Sequence, residues 1–251
     1  MSRPTHVYIV ASPRPRTGKT LLARALAEFF RNDGRPVAAF DLDTMDATLA
    51  AFLPKLTLCA DINDTRGQVA LFDKLIVDDE KPKVVDVSAH AFEAFFNVME
   101  QIDFANVAPR QSVEPVILFA TNSDPTAARS YAHLRDRFPG LPLAPVYNDG
   151  IVRGYHLRGE FPPTSAVALP VRIQAMSPML RGFVDTTPFS FAEFRRRPPP
   201  NFSEYMETEL TSWLKKVFLQ FREMELRLLL SNLRGSLHEA AEQPYNPAWP
   251  A

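Results

Sequence analysis

Glycine is scarce in this chain, 9 residues in 251, while proline reaches 23. Loops that need positive φ angles or close approach to a ligand must therefore be built with few of the residues that do this easily. The single cysteine, Cys59, excludes an internal disulfide framework and suits a reducing compartment. It lies in an apolar stretch, and a small buried side chain is expected there. The five histidines, His6, His90, His133, His156 and His238, show no ligand spacing, so a structural metal centre is not expected. No apolar run approaches the roughly 20 residues of a membrane span. The first residues read as a strand and not as a signal peptide, which makes a cytoplasmic protein the expectation. A net charge of -1 argues against binding nucleic acid over the whole surface, leaving only a local basic patch.

What is present points to one sizeable domain or a domain with an appendage, and 46% hydrophobic residues supply a core. Short apolar runs alternate with helical periodicity. The runs at 6–11, 36–40, 83–87, 115–120, 143–148 and 166–170 read as strands. The segments 21–32, 47–53, 68–77, 91–102 and 125–138 read as helices. Continuous apolar strands alternating with helices predict an α/β fold, a parallel sheet with helices on both faces. The run Arg195-Arg196-Arg197-Pro198-Pro199-Pro200 reads as a stiff linker over 195–200. It separates a domain over 1–194 from a helical extension over 201–251. In that extension Asn201, with Glu204 three residues on, reads as an N-cap. Met206, Leu210, Trp213, Val217, Phe221, Met224 and Leu228 then form one apolar face of a long amphipathic helix ending near Gly235. That face is expected to pack on the domain or to pair in a dimer. Its acids, Glu204, Glu207, Glu209, Glu223 and Glu225, count against a membrane role.

The most informative stretch is Pro13-Arg14-Pro15-Arg16-Thr17-Gly18-Lys19-Thr20, between the first strand and the first helix. Strand, loop ending Gly-Lys-Thr, then helix is the setting in which backbone N–H groups and a helix N-terminus hold a nucleotide's phosphates. Proline has no N–H, and Pro13 and Pro15 occupy the rising limb. Arg16, Thr17, Gly18, Lys19, Thr20 and Leu21 keep theirs. Lys19 is placed to reach the β- and γ-phosphates and Thr20 to hold Mg²⁺. Asp41, Asp43, Asp86 and Asn148 also fall just after strands, where parallel sheets bind ligands. The acids read alternatively as helix caps or solvated groups, and Asn148 as a turn residue in Asn148-Asp149-Gly150.

Taken together, these segments resemble the ParA/MinD group of deviant Walker A ATPases, a P-loop family of the SIMIBI class. Arg14 falls where the group has its signature lysine, and Pro15 and Arg16 fall on its two glycines. Phe40-Asp41-Leu42-Asp43 is similar to its second motif, Val84-Val85-Asp86-Val87-Ser88 to its Walker B strand, and Tyr147-Asn148 to its adenine-reading asparagine. The resemblance covers about residues 5 to 190. It implies that Lys19 and Thr20 bind phosphate and Mg²⁺, that Asp43 orients the attacking water, and that Asp41 and Asp86 stand in the metal's outer shell. It implies that Arg14 contacts phosphate across a dimer. ATP or ADP with Mg²⁺, slow hydrolysis, and a nucleotide-dependent homodimer acting on a protein partner or DNA cargo are the resulting expectations. Arg195–Arg197 with Lys215 and Lys216 read either as a DNA patch or as solvated surface. Two alternatives stand beside this: a metabolic P-loop enzyme with a small substrate, similar to dethiobiotin synthetase, and a nucleotide-binding scaffold without hydrolysis.

Overall fold

The computed structural model describes residues 4–151, 160–165 and 167–242, with side chains described through residue 231. Its strands are β1 (Thr5–Ala11), β2 (Ala38–Asp41), β3 (Thr57–Cys59), β4 (Lys83–Asp86), β5 (Val113–Ala120), β6 (Leu143–Asn148) and β7 (Val171–Ile173). Its helices are α1 (Lys19–Asn32), α2 (Thr48–Phe52), α3 (Thr65–Leu75), α4 (Phe92–Gln101), α5 (Phe104–Arg110), α6 (Pro125–Arg137), α7 (Pro178–Val184), α8 (Phe191–Arg196) and α9 (Glu204–Glu242). The strands form one sheet in the order β3-β2-β4-β1-β5-β6-β7, and every pairing is parallel. This is the α/β architecture that the alternation of strands and helices predicts.

A parallel sheet must bury both faces, and β1 shows how its residues divide. Tyr8 and Val10 enter a core shared with α1, α2, α7, α8 and α9. Val7, Ile9 and Ala11 enter the opposite core, under α3, α4, α5 and α6. The chain places β2, β3 and β4 on one side of β1 and β5, β6 and β7 on the other. The crevice at such a reversal, outside the carboxyl ends of the strands, is where ligands of parallel sheets bind.

The α9 face read from the sequence is the buried one: Met206, Leu210, Trp213, Val217, Phe221, Met224 and Leu228 all lie in the α1 core. The helix also seals the sheet edge. Gln220 accepts from the Arg172 backbone N–H and donates to its carbonyl, both at 2.6 Å, and Trp213 donates to the Gln174 carbonyl at 2.8 Å. An amide side chain thus stands in for a further strand on β7. Among the described residues no helix is long and apolar enough to cross a membrane.

Several expectations need correction. The strand expected over 166–170 forms instead at Val171–Ile173, paired with Val146–Asn148; Pro170 cannot donate to a ladder, and the strand begins just after it. Residue 166 lies outside the described residues. Cys59 is exposed, because β3 is the edge strand of the sheet. Ser203, not Asn201, accepts the Met206 N–H at the start of α9. The helix runs through Gly235 to Glu242, since a glycine flanked by helix formers costs only about 1 kcal/mol and does not by itself end a helix. Arg195 and Arg196 close α8, whose Phe191 and Phe194 are buried, so the basic run begins inside a packed helix.

Candidate functional site

The loop from Ser12 to Gly18 joins β1 to α1 at the sheet's central reversal. Its backbone turns through two left-handed residues, Arg16 at φ 59° and Gly18 at φ 81°. Gly18 is the N-cap of α1 and offers no side chain to its first N–H groups, and the first turn carries no acid. The orphaned N–H groups and the positive end of the helix dipole therefore face outward uncompensated. A cleft of about 710 Å³ lies over this end, lined by Pro15 through Leu21 together with Asp41, Asp43 and Asp86.

Lys19 is buried, and its Nζ donates to the Arg14 carbonyl at 2.8 Å. The Thr17 hydroxyl donates to the same carbonyl at 3.4 Å. Burial lowers the Lys19 pKa, while the nearby Asp86 and Asp43 carboxylates work against that shift. The ammonium is thus partly desolvated and folded back across the loop.

The strand ends bring the acids together. Asp41 and Asp86 are register partners across β2 and β4, and Val10 of β1 is the next partner of Asp86. Asp86 is buried and hydrogen-bonded to Thr20. Burial pushes its carboxyl up to about 7 against that hydrogen bond, and the Asp41 charge adds to the rise. Its Oδ1 has no partner. Asp41 uses both oxygens on the backbone, Oδ1 accepting from Asp43 N–H at 3.0 Å and Oδ2 from Ala50 N–H at 3.1 Å. Its work in the structure is to hold the loop between β2 and α2. Asp43 Oδ1 accepts from Met45 and Asp46 N–H at 3.1 and 2.9 Å, so it caps a turn while lining the cleft.

Two sequence candidates lie apart from the cleft. Arg14 points away, its Nε 2.7 Å from Asp124 Oδ2 and its Nη2 donating to Thr126 Oγ1 at 3.1 Å, at the start of α6. Asn148 adopts the turn arrangement, its Oδ1 accepting from Gly150 N–H at 3.0 Å. Its Nδ2 lies against Gly18, close enough to leave no room for a Cβ there.

The cleft also holds Arg24, Phe52, Arg181 and Asp185, which motif reasoning passed over, and His90, which it set aside for want of metal-ligand spacing. A signal for Arg24 was present in the sequence. It and Glu28 are charges four residues apart in the apolar run Leu21–Phe30, and the structure buries both. Arg181 and Asp185 gave no local signal, because α7 reaches the cleft only through tertiary packing.

Chemically, the arrangement offers N–H donors and an ammonium to an anion, and beside them a carboxylate oxygen without a partner to a cation. Among the described residues no group of three or more His, Cys, Asp or Glu side chains is arranged to hold a metal alone. Mg²⁺ seldom needs such a cage, since it is usually held by one or two protein groups, phosphates and water. No protein-family model matches the chain, and no curated protein matches its sequence.

Proposed function

We propose that this protein binds ATP with Mg²⁺ in the cleft at the head of α1 and hydrolyses it slowly, in the manner of the ParA/MinD-type ATPases its motifs resemble. The observation that carries the reading is the meeting of Gly18-Lys19-Thr20, at an uncapped helix N-terminus, with a buried Asp86 whose Oδ1 lacks a partner. Lys19 and the N–H groups of Arg16 through Leu21 would hold the phosphates. Thr20 and Asp86 would hold Mg²⁺, directly or through water, with Asp41 behind them keeping the loop in place. Bound there, Mg²⁺ neutralises phosphate charge. Asp43 lines the cleft with one oxygen tied into its own turn, which leaves the other to orient a water. Asn148, packed on Gly18, would read the base only from beside the loop.

On this reading the protein works in the cytoplasm as a nucleotide-dependent homodimer acting on a protein partner or DNA cargo. Arg14 would leave Asp124 to reach phosphate in the partner subunit. A second reading, an enzyme that acts on a small substrate, is favoured by one observation: the cleft continues past the loop to Arg24, Phe52 and Asp185.

Titration calorimetry with ATP and with GTP, each with Mg²⁺, tests the proposal. ATP should bind the wild type and fail to bind Lys19→Ala, and phosphate release should fall in Asp43→Ala. No heat with either nucleotide would overturn the reading. Tight binding without turnover, unchanged by Asp43→Ala, would mark a scaffold.

A further inference from the structure

Past the phosphate loop the cleft runs between α2 and the end of α7, and Arg24 is part of its wall. Arg24 stands one helical turn after Thr20 and is only 1% exposed. Its guanidinium carbon lies 4.0 Å from the ring centre of Phe52 and 4.4 Å from that of Phe191. Nη1 donates to the Val184 carbonyl at 3.0 Å. Nε and Nη2 have no partner. These two nitrogens share one edge of the guanidinium, the edge that meets a carboxylate with two parallel hydrogen bonds. Burial lowers its pKa only to about 10, so the group is charged at neutral pH.

Folded proteins leave few buried donors unpaired, and each exception calls for a cause. The fold does not satisfy this one from within. Glu28, the nearest acid along α1, gives Oε2 to the Ser190 hydroxyl at 2.5 Å and the Ala192 N–H at 2.7 Å. Its Oε1 is also without a partner, and it makes no hydrogen bond to Arg24. Asp185 gives Oδ2 to Arg181 at 3.0 Å; its charge, like that of Glu28, acts on Arg24 through space, but neither carboxylate hydrogen-bonds it.

The geometry points to a second ligand site in this cleft, in which the Nε–Nη2 edge of Arg24 receives the two carboxylate oxygens of a small organic acid. A carboxylate suits the place better than a phosphate dianion, because Asp46 and Asp185 line the same cleft. Nε and Nη2 are buried, and the Phe52 ring packs on the guanidinium beside them. Phe52 belongs to α2, a five-residue helix whose N-cap, Ala47, makes no side-chain hydrogen bond. Entry of the acid requires the Phe52 side chain to move, while Leu49 and the Asp41–Ala50 hydrogen bond keep α2 in place. The site stands on Arg24 and not on the phosphate loop, so the two are separable.

The test uses the full chain, with succinate and glutarate as probes and neutral succinamide as control, each with and without Mg–ADP. Calorimetry and thermal unfolding should show that the two acids bind and raise Tm while succinamide does neither. Arg24→Met should weaken that binding roughly tenfold or more. The double variant Arg24→Met/Glu28→Gln removes the buried acid that the single change leaves behind, and serves if the single variant does not fold. Tripolyphosphate with Mg²⁺ probes the loop separately: it should bind wild type and both Arg24 variants alike, and fail with Lys19→Ala. No heat and no Tm shift with either acid, or equal binding by the Arg24 variants, overturns the site even if tripolyphosphate binds. Loss of ADP affinity in Arg24→Met without any effect of the acids gives the edge to the nucleotide's own phosphate, and likewise overturns it. Failure of tripolyphosphate to bind wild type counts against the phosphate loop alone.

Discussion

A Cβ placed on Gly18 would lie 2.2 Å from Nδ2 of Asn148. The end of β6 therefore touches the loop after β1, and the Gly150 N–H holds the Asn148 amide in that position. Gly18 is required twice over, for its φ of 81° and for this contact.

Gly18→Ala should destabilise the protein by about 2–4 kcal/mol, the sum of a strained dihedral and a clash. Asn148→Ala in the same chain should recover the clash portion and leave roughly 1 kcal/mol of backbone strain. Urea unfolding of the two single variants and the double variant measures this coupling. Simple additivity would show that the two residues do not touch.

Arg16 is exposed and holds φ 59°, at a position where the ParA/MinD group has glycine. Left-handed backbone costs a non-glycine residue about 1 kcal/mol. Arg16→Gly should raise stability by up to that amount, partly offset by a more flexible unfolded chain. A denaturant midpoint at or below that of wild type would show that the strain is absent.

Asp86 makes stability depend on pH. Its folded carboxyl is raised to about 7, so the folded state keeps a proton that the unfolded chain gives up near 4. The stabilisation is complete below about pH 4 and is lost as pH rises through about 7, on the order of 4 kcal/mol at most. Asp86→Asn should flatten that fall and be the more stable protein at pH 8 without nucleotide. Under the proposed function, Mg²⁺ with ATP should close the gap for wild type and not for the variant. Unfolding curves at half-unit steps from pH 4.5 to 8.5 read both effects.

The Arg14–Asp124 pair is largely exposed, and such pairs contribute about 0–1 kcal/mol. Arg14→Ala should barely move Tm, yet abolish any nucleotide-dependent shift between monomer and dimer. Light scattering with and without Mg–ATP decides this. A shift that survives the substitution would leave Arg14 as a surface ion pair only.

Much of the fold is legible in the local pattern. Continuous apolar runs mark β1, β4, β5 and β6, and a period of nearly four marks α1, α4, α6 and the buried face of α9, to within a few residues. β3, α5, α7 and α8 escape, being short or broken: α5 contains Pro109, and β3 has three residues on an exposed edge. At the site, Gly18, Lys19, Thr20 and the strand-end acids announce themselves by position. The division of labour among those acids does not. Asp41 turns out to serve the backbone with both oxygens, while Asp86 keeps one oxygen unpaired.

The sequence alone determined that strands alternate with helices, that a loop ending Gly-Lys-Thr joins the first strand to the first helix, and that one face of α9 is apolar. Each is a property of neighbours along the chain, where side-chain period and backbone chemistry act directly. Only the tertiary structure decided that Asp41 lies level with Asp86, that Asn148 leans on Gly18, and that Arg24 keeps an unpaired edge between two phenylalanine rings. Those relations depend on strand order and on helices packing from distant segments. No local period encodes them, because a strand's pattern says which face it buries but not which strand lies beside it.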